Sequence, residues 1–259
     1  MPSGIYWIAS YPRSGNTWVR AFLTALGTGG AEAATDSPGE LAAPWRRGAS
    51  RDAPDLIHAL RERYDWQLEV ASSMPGPFLL KTHAARVSIE GIPTIHAEAT
   101  HGSVYLIRDP RDVAVSYAAF LRRPVGAIIR MMNDPNWVDT NKEPVGSWSM
   151  NVATWTAAPN VLVLRYEDLL TSPIKFFRML VEHIGYHASL AEIADAATAS
   201  SFERLKSRDA KAPIHKGRVT IRSGRSEQWR GALSAAEIAR IETAHGELMM
   251  RFGYSLART

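Results

Sequence analysis

The start of the chain restricts the fold most. Ile5-Tyr6-Trp7-Ile8-Ala9-Ser10 is a short apolar run, Tyr11–Asn16 a turn rich in Pro, Arg, Ser and Gly, and Thr17–Leu26 sets Trp18, Phe22 and Leu26 on one helical face. A buried strand leading through a tight turn into a helix cannot pair back as a hairpin. It is the opening unit of a parallel sheet. The alternation recurs, with further strands expected at Phe78–Thr82, Val104–Ile107 and Val161–Arg165. The expected class is α/β with a central, mainly parallel sheet flanked by helices.

Local signals place the helices. Asp109 can cap a helix with Pro110 in its first turn, running to about Leu121. Trp148, Val152 and Trp155 share a helical face, and Ser172-Pro173 opens a helix through about Ile184. Ser189 with Glu192 and Ser234 with Glu237 are capping boxes, the last helix stopping at Gly253. A short helix is expected over Pro54–Tyr64. Residues 27–50 read as a surface loop, 122–146 as a loop or lid without periodicity, and Lys206–Arg230 as polar, basic and aperiodic. Neither an internal repeat nor a linker divides the sequence, so residues 1–259 are read as a single domain.

Composition narrows the chemistry. The 259 residues contain no cysteine, which excludes disulfides, thiolate zinc sites and cysteine nucleophiles. The N-terminus lacks the basic start and cleavage site of a signal peptide, and no run reaches the roughly 18 apolar residues of a membrane span. A soluble, cytoplasmic protein is expected. The formal charge of +4 fits an anionic ligand, an acidic surface or a nucleic acid. Aromatic residues are sparse in the basic stretch 204–230, which argues against nucleic acid.

The first turn has the make-up of an anion cradle. Backbone N–H groups converge there with the positive end of a helix, Gly15 lets the backbone approach a ligand, and Ser14 and Thr17 offer hydroxyls. The nucleotide-hydrolase fingerprint G-x-x-x-x-G-K-S/T is absent: no lysine follows Gly15, and the cation, Arg13, precedes the Ser-Gly pair.

Tyr11-Pro12-Arg13-Ser14-Gly15-Asn16-Thr17-Trp18 resembles the 5′-phosphosulfate loop of the cytosolic-type sulfotransferase family, Y-P-K-S-G-T-T-W, with Arg13 in the place of lysine. Arg108-Asp109-Pro110-Arg111-Asp112, with Ser116, is similar to its 3′-phosphate segment, R-N/D-P-K/R-D-x-x-x-S. Arg222-Ser223-Gly224 with Trp229 resembles its late nucleotide loop, Ser200-Ser201-Phe202 its T-S-F segment, and Tyr166-Glu167-Asp168-Leu169 its Y-E-D-L. The resemblance runs from residue 5 to about 254, with gaps over 27–75 and 120–145. It implies a P-loop-containing nucleotide-binding fold and a sulfotransferase that uses 3′-phosphoadenylyl sulfate (PAPS) as co-substrate. The product 3′-phosphoadenosine 5′-phosphate (PAP) is then released. Arg13, Ser14, Gly15, Asn16, Thr17, Trp18, Arg108, Ser116, Tyr166, Ser200, Phe202, Arg222, Ser223 and Gly224 would hold the nucleotide.

Lys81-Thr82-His83 ends the second expected strand, where open α/β sheets place their ligand sites. It matches the family's K-T-H, whose histidine takes the proton of the acceptor hydroxyl. His83 is therefore the expected general base of an in-line displacement, with Lys81 and Arg13 neutralising the sulfuryl group and its leaving phosphate. No metal-ligand cluster is apparent, and none is expected. The acceptor is expected to be a small or medium-sized hydroxyl compound, chosen by residues 27–75 and 120–146 together with the late loop. The family's short C-terminal dimer motif is not found, which leaves the oligomeric state open. The alternatives are a kinase-like P-loop phosphotransferase, which predicts magnesium dependence, and a nucleotide-binding protein without turnover.

Overall fold

A computed structural model of the chain describes residues 4–27, 53–73, 77–211 and 220–257. Four strands form one parallel sheet: β1 (Gly4–Ser10), β2 (Pro77–Thr82), β5 (Thr100–Ile107) and β6 (Val161–Arg165), in the order β2-β1-β5-β6. Ile8 lies beside Lys81 and Val104 in register, so the turn after β1 and the Lys-Thr-His run leave adjacent strands at the same edge. Two short strands, β3 (Ser88–Ile89) and β4 (Ile92–Pro93), make a separate antiparallel pair.

All seven residues of β1 are buried, as befits a strand covered on both faces. Alternation then sorts its side chains into two cores. Ile5, Trp7 and Ala9, with Tyr105 and Ile107, face one side; Tyr6 and Ile8, with Val104 and Leu106, face the other. The first core is closed by helices α2 (Leu56–Ser73), α3 (Pro110–Leu121), α4 (Val125–Asn133), α5 (Trp148–Thr156) and α10 (Ala235–Arg251). The second is closed by α1 (Asn16–Gly27), α6 (Tyr166–Thr171), α7 (Pro173–His183) and α8 (Leu190–Ala199), where Phe22 and Phe177 stack at 3.8 Å.

The helix starts follow their caps. Asp109 accepts from the Arg111 N–H at 2.9 Å, and both capping boxes, Ser189/Glu192 and Ser234/Glu237, are closed in both directions. Some boundaries differ from expectation. Helix α2 runs to Ser73 rather than Tyr64, the last helix ends at Arg251, and α9 (Phe202–Lys211) enters the stretch read as aperiodic. The segment 122–146 is not wholly a loop, because α4 lies inside it with Ile128, Ile129 and Met132 buried in the core. The surface loop expected over 27–50 lies almost entirely outside the described residues. Among the described residues, no helix is long and apolar enough to cross a membrane, and no group of three or more His, Asp or Glu is placed to hold a metal ion.

Candidate active site

The C-terminal ends of all four parallel strands open on one cavity of about 1200 Å³. Its lining includes Arg13, Gly15, Asn16, Thr17 and Trp18 after β1, His83 after β2, Arg108 after β5 and Tyr166 after β6. Lys81 and Ser116 join them, with Phe202, Arg222, Ser223 and Gly224 from the distal segments. The structure thus gathers at one place residues that are up to two hundred positions apart.

The turn after β1 is held from below and packed from above. Asn16 opens α1 and is buried; its Nδ2 donates to the Ile8 carbonyl at 2.9 Å and to Ser10 Oγ at 3.2 Å. Gly15 has φ +101°, and a Cβ there would stand 2.8 Å from Cδ2 of Tyr166, so both the conformation and the neighbouring ring require glycine. Arg13, itself at φ +72°, donates from Nε to Ser116 Oγ at 3.2 Å and from a terminal nitrogen to the Thr220 carbonyl at 2.6 Å. Its guanidinium lies 4.7 Å from the Phe120 ring centroid. Burial, then the nearby Arg108, pushes the Arg13 pKa down to about 10, which leaves it charged at neutral pH.

Arg108 is buried between the turn after β1 and the loop at residues 220–227, donating to the Arg13 and Arg225 carbonyls at 3.0 Å each. It also lies 4.3 Å from the Tyr166 ring centroid and 3.9 Å from Asp112. Asp112 accepts from the Trp229 N–H at 3.0 Å, and Trp229 is packed in the core with Arg111 across its ring at 3.8 Å. Gly224 approaches Phe202 so closely that a Cβ would overlap the ring. Ser200 is fully buried and turns its hydroxyl to the Ala196 carbonyl at 2.8 Å, while Ser201 and Phe202 line the cavity. Ser14 is also fully buried.

His83 is half-buried, and its orientation fixes its tautomer. Nδ1 lies 2.8 Å from the Ser10 carbonyl, an obligate acceptor, so Nδ1 carries the hydrogen and Nε2 is the basic nitrogen. Burial, reinforced by Lys81, holds the imidazole well below its ordinary pKa and therefore neutral near pH 7. The backbone around it is clamped. Asn151 Nδ2 donates to the His83 carbonyl at 2.9 Å and Trp155 Nε1 to the Ala84 carbonyl at 2.8 Å.

One residue absent from the sequence reading belongs to this arrangement. Glu143 is fully buried, its Oε1 accepts from the His83 N–H, and its Oε2 lies 3.7 Å from Lys81 Nζ. Its position in an aperiodic stretch carries no local signal, and its partners are some sixty residues away.

These features define a class first: an α/β protein with a glycine-containing turn at the head of a parallel sheet and a neutral histidine after the adjoining strand. The sulfotransferase domain family matches residues 5–253, and the chain belongs to that family. Sulfotransferase 1A1 of Bos taurus is 25% identical over 276 residues, covering 96% of this chain and 86% of the relative. Flavonol 3-sulfotransferase of Flaveria bidentis is 26% identical over 263 residues, covering 93% and 80%. Mouse sulfotransferase SULT7A1 complexed with PAP superposes with a TM-score of 0.65 at 19% identity, covering 95% of this chain and 84% of that one. Retinol dehydratase, in complex with androsterone and inactive cofactor PAP, gives 0.61 at 19% identity, covering 98% and 82%. The chain is an enzyme of sulfuryl transfer on a P-loop-type fold. This assignment does not favour the kinase-like and non-catalytic alternatives.

Proposed function

We propose that residues 1–259 form one sulfotransferase domain that moves the sulfuryl group of PAPS, in line, to a hydroxyl of a small or medium-sized acceptor in the cytoplasm. The observation that carries the reading is the neutral, Nδ1-protonated His83, lining the strand-end cavity with Lys81.

The cavity suits a nucleotide bearing phosphates at two ends. Ser14 Oγ and Arg108 Nε are buried and make no hydrogen bond among the described residues, and a side chain at Gly15 would collide with Tyr166, which lines the cavity. Arg13, Ser14, Gly15, Asn16 and Thr17 would hold the 5′ end of the donor, and Arg108, Ser116, Arg222, Ser223 and Gly224 its 3′-phosphate. Trp18, Tyr166 and Phe202 would surround the adenosine, while Ser200, whose hydroxyl is held by the end of α8, supports Ser201 and Phe202 from beneath. When bound, PAPS supplies an activated sulfuryl group on a phosphate leaving group.

The chain's own residues do the rest. Nε2 of His83 accepts the proton of the attacking hydroxyl, and the Ser10 carbonyl stabilises the imidazolium through Nδ1–H. Lys81 and Arg13 offset negative charge on the transferring and leaving groups. Tyr117, Phe120, Leu121, Met131 and Trp137 give the remaining cavity wall an apolar, aromatic face for the acceptor.

Calorimetry with PAP, adenosine 5′-phosphate and ATP, with and without magnesium, tests the reading. PAP should bind without magnesium, with adenosine 5′-phosphate weaker by about 30-fold or more for the lost charge-assisted bonds. Preference for magnesium-ATP, or indifference to the 3′-phosphate, would overturn it.

A further inference from the structure

The loop that follows α4 forms part of the acceptor side of the cavity through Trp137, Val138, Asp139, Thr140 and Asn141. It is tightly built. Asp139 Oδ1 accepts from the Asn141 N–H at 2.8 Å and the Glu143 N–H at 2.9 Å, and its own N–H donates to the Glu143 carbonyl at 2.9 Å. Arg63, buried on α2, donates to the Asn141 and Lys142 carbonyls.

From this turn the Glu143 carboxylate reaches the end of β2. Oε1 accepts from Thr82 Oγ1 at 3.0 Å, from the Ala84 N–H at 2.7 Å and from the His83 N–H. The next residue continues the seam, with the Ala85 N–H donating to the Pro144 carbonyl at 2.8 Å. Oε2 makes no hydrogen bond among the described residues and faces Lys81 Nζ at 3.7 Å.

A fully buried carboxylate is costly unless donors and a countercharge surround it. Here three donors converge on one oxygen and a cation faces the other. Burial raises the Glu143 pKa and Lys81 opposes the rise; Asp139 adds to it, and the hydrogen bonds from the His83 N–H and Thr82 oppose it. The cost of burial is met at one place, the Lys-Thr-His run that the proposed chemistry uses.

We propose that Glu143 is a positioning residue that ties the acceptor loop to the catalytic end of β2, fixing the His83 backbone and the Lys81 ammonium relative to each other and to the acceptor wall. The inference rests on the roles given to His83 and Lys81 above. With Glu143 in place, the His83 ring is carried to the Ser10 carbonyl, and Lys81 is drawn towards the strand end rather than free to sweep the cavity.

The test compares wild type, Glu143→Gln and Glu143→Ala in the full chain, each checked for folding by circular dichroism. The first readout needs no substrate: nitrogen-15 NMR of the His83 ring, identified by its loss in His83→Ala. Wild type should show the Nδ1–H tautomer alone, and Glu143→Ala a mixture of tautomers, because the released ring no longer faces Ser10. The second readout is turnover of PAPS with a phenolic acceptor. Glu143→Ala should lower kcat by about 100-fold, and Glu143→Gln, which keeps an acceptor oxygen but loses the charge facing Lys81, by about tenfold. PAP affinity should stay within about threefold in both, since the carboxylate acts through the base and Lys81. In the His83→Ala background, Glu143→Ala should cost only the part that acts through Lys81, about tenfold, whereas a merely structural role would cost the same, about 100-fold, in both backgrounds.

A tautomer shift without any turnover in wild type would uphold the positioning role and refute the sulfotransferase reading. An unshifted tautomer with kcat within twofold of wild type would overturn the positioning role while leaving that reading intact. If Glu143→Ala does not fold, Glu143→Gln decides: turnover within twofold of wild type overturns the proposal.

Discussion

Replacing Gly15 with alanine should damage both the fold and the nucleotide site, and the structure sets the size of each effect. At φ +101° an L side chain is strained by about 1–2 kcal/mol. The new Cβ also meets Tyr166 Cδ2 at 2.8 Å. That ring cannot withdraw freely, because it is buried against Arg108 on one side and Trp18 on the other, so overpacking adds about 1–3 kcal/mol. The sum, about 2–5 kcal/mol, corresponds to a fall of roughly 5–15 °C in melting temperature for a chain of this size. Displacement of Tyr166 carries Arg108 with it, so PAP affinity should drop by about 30-fold or more. The assays are thermal unfolding and calorimetry with PAP. Gly91→Ala is the control: its φ is +79°, but a Cβ there has open space among the described residues, so it should cost only the strain and leave PAP binding unchanged. Gly15→Ala with a melting temperature within 2 °C of wild type and a Kd within twofold, limits set well inside the expected effects, would refute the reasoning.

Arg13→Lys restores the residue of the family pattern but cannot bond Ser116 and the Thr220 carbonyl while stacking on Phe120. Amide exchange over residues 220–225 should quicken and kcat should stay within about tenfold; unchanged exchange would show that Arg13 does not hold the late loop. Because burial and Lys81 depress the His83 pKa, its base form survives as pH falls below 6.5. The pH profile of kcat/KM should be flat from neutrality down to about 6.5, with its acid limb below that value, and a limb above about 7 would contradict the assignment. His245 is buried and its pKa is pushed down to about 4. The unfolded chain therefore binds a proton near pH 6.5 that the folded chain refuses until near 4, and stability falls as pH drops through that window. Between pH 7.5 and 5 the loss in urea unfolding should be smaller by about 2 kcal/mol in His245→Gln, and an equal loss would refute the prediction.

What was legible in the sequence was what is written locally. The strand–turn–helix of residues 5–26, the Asp109-Pro110 helix start and the two Ser-x-x-Glu boxes each declare themselves within a few residues, and each stands where expected. The strand ends then bring Arg13, His83, Arg108 and Tyr166 to one cavity, because parallel strands share one C-terminal edge. Helix α4 was hidden by its length of nine residues and by Pro124 and Gly126, which read as loop punctuation, although Ile128, Ile129 and Met132 form a buried face. The pair β3–β4 has only two residues in each strand, too few for alternation to show. Ser200 illustrates another limit: its neighbours reach the cavity, but its hydroxyl is spent on the turn that ends α8. Glu143 could not be found locally at all, since its partners are brought to it by the fold.

The measurement that bears most directly on the central claim is transfer of sulfur-35 from labelled PAPS to a panel of phenols and aliphatic alcohols, by wild type and by His83→Ala. Wild type should place the label on an acceptor hydroxyl. His83→Ala should bind PAP within about threefold of wild type yet turn over at least about 100-fold more slowly. Wild type that binds PAP but labels no hydroxyl, or a His83→Ala variant with full turnover, would contradict the account.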